Sequence, residues 1–163
     1  MPIVTTAQLF ANQALQLACG QECVDWAMGK LEDRCDGPFL RMLASRCPPY
    51  NHFEIADNRN RAFEELGLRY PGDSAAINLY GAERIRIALD GGEDLAVTLR
   101  ALRDICITRG YQEPYEFYML SFAYERLQAG EGQFYWPGAT LENIFTIVRH
   151  EAEKLATKVE RTA

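Results

Sequence analysis

A chain of 163 residues is long enough to bury a genuine core, and 48% hydrophobic against 25% charged residues is the balance of an ordinary globular protein. Its formal charge of −6 argues against general affinity for nucleic acid or anionic lipid, which needs clustered Lys and Arg. No apolar run approaches the ~18 residues of a membrane span, and Met1-Pro2-Ile3-Val4 is not the start of a signal peptide.

Hydrophobic spacing predicts eight helical segments and no strand. The first is expected from about Thr6 to Cys19, with Phe10, Ala14 and Leu17 on one face and a stop at Gly20. The second spans roughly Gln21 to Asp33, with Val24, Ala27, Met28 and Leu31 inward. Pro38 can open a short third helix carrying Leu40, Leu43 and Cys47, which Pro48-Pro49 then breaks. Asn51 can cap the fourth, with Glu54 reaching back three residues, and Leu66-Gly67 ends it. Asp73 or Ser74 can cap the fifth, whose face is Ile77, Gly81, Ile85, Ala88 and Leu89. Gly81 weakens that helix by ~1 kcal/mol relative to alanine, and close approach of a neighbour would compensate.

A sixth helix carries Leu95, Leu99, Leu102 and Cys106 and ends at Arg109-Gly110. Residues 111–127 form the aromatic helix, with Glu113 as its cap and Pro114 at its first position. Tyr115, Tyr118, Met119 and Phe122 recur on one side; Phe117, Leu120, Tyr124 and Leu127 recur on another. A helix apolar on nearly every side is expected at the centre of a bundle, with its rings in the core. The last helix, about 140–159, has the stripe Leu141, Ile144, Phe145, Val148, Ala152, Leu155, Ala156 and Val159, and the polar tail after it is expected to fray. Short connections make successive helices antiparallel or angled neighbours. The expected fold is an all-α, single-domain bundle of seven or eight helices. Ala62-Phe63-Glu64-Glu65-Leu66-Gly67 with Pro71 is similar to the end of a tetratricopeptide unit, but no second copy follows at a fixed interval, so no repeat is assigned.

The chemistry-bearing residues are sparse. Cys19, Cys23, Cys35, Cys47 and Cys106 are an odd number in a chain without an export signal, which suggests a cytoplasmic protein with reduced thiols. A zinc site using these cysteines and His52 lacks the close second pair such sites use, and cysteine serves equally well as a small buried hydrophobe. A di-iron bundle is excluded because Pro49 and Ile147 stand where Glu would have to precede His52 and His150. Cys47, His52 and Glu54 could form a nucleophilic set, yet no nucleophile elbow or glycine-rich oxyanion sequence accompanies them. No P-loop or dinucleotide fingerprint occurs. Neither metal nor cofactor is expected.

Two features point instead to a partner. Arg59 falls on the inward rows of the fourth helix, where an arginine must snorkel, pair with a carboxylate or meet a ligand. Phe134-Tyr135-Trp136 cannot all face the core from one short loop, so at least one ring is available as an interface anchor unless the loop is a lid burying two of them. The expectation is a non-catalytic protein that binds another protein, as adaptor or inhibitor of a basic partner, through Phe134, Tyr135, Trp136 and Arg59. The alternative is a small-molecule binder or enzyme with a pocket against the aromatic helix, lined by Tyr115, Tyr118 or Tyr124.

Overall fold

The computed structural model describes residues 3–111 and 115–162. Among them the chain forms eight helices and no strand, so the all-α reading of the periodicity holds. Contacts divide the chain into two compact units, residues 1–73 and 74–163. Among the described residues, no helix is long and apolar enough to cross a membrane.

The N-terminal unit holds α1 (Thr6–Ala14), α2 (Gln21–Glu32), α3 (Pro38–Ala44) and α4 (His52–Glu65). Its core is built on Trp26, which is 1% exposed and meets Phe63 edge-to-face at 5.1 Å, while Phe10 meets Phe63 at 5.2 Å. The indole N–H donates to Thr6 Oγ1 at 3.0 Å, so burial of this large ring leaves no donor unsatisfied. Leu40, Leu43 and Ile55 complete the contact of α3 with α4. The Asn51 side chain caps α4 by accepting from the N–H groups of Phe53 and Glu54. Glu54 does not reach back; its carboxylate lies 3.5 Å from Arg46. Glu65, at the other end of α4, accepts from the N–H groups of Phe39 and Leu40 and so caps the start of α3.

Three expectations in this unit are corrected. The first helix stops at Ala14, not Cys19, because Gln16 takes a left-handed φ of 56° and the N–H groups of Gln16 and Leu17 return to the carbonyls of Gln13 and Asn12. That is a Schellman ending with glutamine in the position glycine usually fills, so no glycine signals it. Leu17 then lies beyond the helix, 47% exposed. On α2 the buried row is Cys23, Val24, Trp26 and Ala27, which leaves Met28 exposed. Cys47 is exposed, because α3 ends at Ala44, short of it.

The C-terminal unit holds α5 (Asp73–Leu89), α6 (Leu95–Arg109), α7 (Tyr115–Gln128) and α8 (Ile144–Thr162). Ile85 of α5, Leu99 and Leu102 of α6, Phe117, Leu120 and Tyr124 of α7, and Ile144 and Val148 of α8 form one buried cluster. Asp94 caps α6 through the Val97 N–H, and Gly110 ends it at φ 67°. The expected cap Glu113 and first-turn Pro114 of α7 lie outside the described residues. The expected close approach at Gly81 is relaxed: a Cβ there would stand 3.6 Å from Leu102 and Leu155, an ordinary contact.

Two expectations differ here as well. The last helix begins at Ile144 because Asn143 accepts from Thr140 N–H at 2.7 Å and donates to Gly138 O at 2.9 Å, holding the preceding residues in a turn. Leu141 precedes the helix and Phe145 sits at its edge, and both are exposed. The helix also continues to Thr162 instead of giving way to a tail. On α7 only the Phe117/Leu120/Tyr124 side is core. Tyr115 is 52% exposed, and Tyr118 and Phe122 are half-buried.

Candidate functional site

The half-exposed side of α7 carries a continuous row of rings. Tyr115 and Tyr118, one turn apart, stack at 5.4 Å; Tyr118 meets Phe122 edge-to-face at 5.2 Å; Phe122 stacks on Tyr135 at 5.0 Å. The i, i+3, i+4 spacing of a helix puts the first three on one face, and the loop after α7 returns to add the fourth. That return is fixed by Gln133, whose amide accepts from Trp136 N–H and donates to the carbonyls of Trp136 and Ala139. Trp136 packs half-buried against the unit's core. The three loop aromatics thus divide: Trp136 anchors the loop, Tyr135 extends the row, and Phe134 stands 95% exposed.

The row has a cation beside it. Arg103 of α6 lies 4.6 Å from the centre of the Phe122 ring, in cation–π range, and its guanidinium also donates to Ser121 Oγ and Glu125. Arg100 donates to the same carboxylate. Hydrogen bonds from Arg100 and Arg103 outweigh burial and hold Glu125 below the usual carboxylate range. Glu116, next to Tyr115, is exposed.

Arg59 lies in the other unit and is 6% exposed. Its Nη1 donates to Cys19 Sγ at 2.9 Å, and its Nε and Nη2 both donate to Asn60 Oδ1. Among the described residues, no carboxylate lies within ion-pair distance of it. A buried guanidinium needs a compensating negative group, and the sulfur it faces can supply one. Cys19 is half-buried just before α2, and Cys23, 3% exposed, stands one helical turn further on. A hydrogen bond from the Cys23 thiol to the ionised sulfur, with the nearby Arg59 and His52, outweighs burial and brings the Cys19 thiol down to about 6. The same bond and burial push the Cys23 thiol up. His52 Nδ1 bonds the Cys19 carbonyl, which accepts only, so Nδ1 carries the proton.

The Cys47, His52 and Glu54 set is not assembled: His52 is held on Cys19, Glu54 on Arg46, and the Cys47 thiol faces Ser45 O. Among the described residues no three Cys, His, Asp or Glu side chains gather as a metal site would need. A cleft of about 510 Å³ opens between Phe39 and the outer face of α4, lined by Asp57, Asn60, Arg61, Glu64 and Glu65, and no tyrosine of α7 lines it.

Sequence spacing already contained part of both arrangements. His52 and Arg59 are seven residues apart, two turns along α4, and Cys19 and Cys23 are four apart. What sequence reasoning missed was their meeting, since Arg59 reaches a sulfur 40 residues earlier. No known protein family matches the chain, and comparison with curated proteins and with solved structures finds no significant similarity.

Proposed function

We propose that this is a non-catalytic protein that acts by binding another protein, and that the aromatic row of α7 and its following loop is the contact surface. The carrying observation is the 95% exposure of Phe134 beside a four-ring row whose first member, Tyr115, is 52% exposed. Exposed, mutually stacked aromatics offer large contact area at little entropic cost, as interface anchors do. A partner segment rich in Lys or Arg suits this surface. Phenol and phenyl faces attract cations, as Arg103 over Phe122 illustrates within the chain, and the net charge of −6 favours approach of a basic partner. Burial of Arg59 on Cys19 in the N-terminal unit argues against it as a contact residue.

The test is fluorescence anisotropy of a labelled Lys/Arg-rich peptide, with a Gly/Ser-rich peptide of equal length as control. The basic peptide should bind, and replacing both Phe134 and Tyr115 by Ala should weaken it by at least about tenfold, the loss of two ordinary anchors. Helix content by circular dichroism should stay unchanged. Equal binding of both peptides, or no change in the double variant, would reject this assignment.

A further inference from the structure

We infer that Cys19 is a nucleophilic thiolate that takes small hydroperoxides, with Cys23 as the thiol that resolves it to an intrachain disulfide. The site rests on residues of the N-terminal unit alone and is independent of the proposed protein contact. Arg59 is buried with no carboxylate near it among the described residues, and the group its Nη1 faces at 2.9 Å is the Cys19 sulfur. The buried cation and the sulfur therefore stabilise one another as an ion pair. The Cys19 backbone is held as well, because His52 binds its carbonyl. Cys19 is half-exposed while Cys23 is 3% exposed, so a solute meets Cys19 first. Two of the other thiols lack this setting: Cys47 faces a carbonyl, and burial pushes the Cys106 thiol up.

The chemistry balances with hydrogen peroxide as the two-electron oxidant; an alkyl hydroperoxide would release its alcohol in place of the first water. The Cys19 thiolate attacks one peroxide oxygen, the O–O bond breaks, and hydroxide leaves to be protonated to water. Cys19 is then a sulfenic acid. The Cys23 sulfur attacks that sulfur, an S–S bond forms, and the sulfenic oxygen departs as a second water carrying the Cys23 proton. Two thiols have lost two electrons and two protons, and the peroxide has become two waters.

Oxidation of the reduced full-length chain with one equivalent of hydrogen peroxide tests this, followed by maleimide blocking and mass spectrometry of the tryptic digest. Lys30 is the first basic residue, so Cys19 and Cys23 share the peptide 1–30. That peptide should lose two hydrogens and escape maleimide before Cys35, Cys47 or Cys106 is consumed. In Cys23→Ala, Cys19 should instead be captured as a sulfenic acid by dimedone. Iodoacetamide competition against added glutathione reads the thiolate without any variant. With the Cys19 thiol at about 6, Cys19 should react roughly fivefold faster than glutathione at about pH 6.5. Its larger thiolate fraction there outweighs its lower intrinsic nucleophilicity. By about pH 9 the order should reverse. Oxidation of Cys47 before peptide 1–30, or Cys19 lagging glutathione at both pH values, would overturn the inference. Success or failure of the basic-peptide titration has no bearing on any of these readouts.

Discussion

At the residue scale the Cys19 thiol sets a pH dependence of stability whose sign is fixed. Its folded value, about 6, lies below the ordinary thiol range, so between about 6 and 9 the native state holds fewer protons than the unfolded chain. The stabilisation is fully present above the unfolded thiol value and is lost as pH falls through 6. Cys23 is displaced the other way, so what it contributes is present below the ordinary thiol value and lost above it. Together they favour the folded state most near pH 9. Because Cys19 is only half-buried and so screened by water, the effect is of order 1 kcal/mol. Thermal unfolding of the reduced protein and of Cys19→Ser should therefore diverge by about 2–4 °C more at pH 8.5 than at pH 6, in favour of the native residue. A constant difference across that range would show that Cys19 is protonated throughout.

Helix interiors and helix ends make separable predictions at the scale of the element. Gly81 lies inside α5 with room for a methyl group, since its Cβ would meet Leu102 and Leu155 at 3.6 Å. Gly81→Ala should stabilise the C-terminal unit by about 0.5–1 kcal/mol, through helix propensity and a less flexible unfolded chain. Urea denaturation should show a higher midpoint at unchanged slope; a lower midpoint would show that the methyl group is not accommodated between α6 and α8. Gln16 poses the opposite case, an exposed non-glycine residue at φ 56° in the Schellman ending of α1. Gln16→Gly should gain about 0.5–1 kcal/mol by removing the left-handed penalty of a Cβ. The same pairing explains where the spacing of apolar residues was readable. The cap Asn51 and the ending at Gly110 appear where they were placed, whereas the ending at Gln16 carries no residue signature and Asn143 turns its side chain back on Thr140 and Gly138 to start α8 later than the apolar spacing suggests.

For the molecule as a whole, charge governs approach and not folding. Acidic residues outnumber basic ones by the same margin in residues 1–73 and in 74–163, so the net charge of −6 belongs to no single unit. A basic partner should consequently feel a diffuse attraction that salt removes. Stopped-flow association with the Lys/Arg-rich peptide should slow several-fold between about 0.05 and 0.5 M NaCl, as the screening length shrinks from beyond 10 Å to a few ångströms. Dissociation, set by contacts at Phe134 and Tyr115, should change far less. Salt-independent association would leave the aromatic row as a purely apolar contact.

The sequence by itself determined that this protein is all-helical, roughly where its eight helices lie, and that an aromatic helix contributes to a core. Those follow from local spacing and propensity, which act within one or two turns. Tertiary structure decided which side of α7 is core, because an apolar stripe does not say whether a neighbour covers it. It also divided Phe134, Tyr135 and Trp136 into an exposed ring, a stacked ring and an anchor through the hydrogen bonds of Gln133. Above all it joined Arg59 to Cys19, Cys23 and His52, which pattern reading had weighed apart from it, as candidate metal ligands. Their meeting is a long-range event across 40 residues, and a buried cation acquires its counterion only when the chain has folded around it.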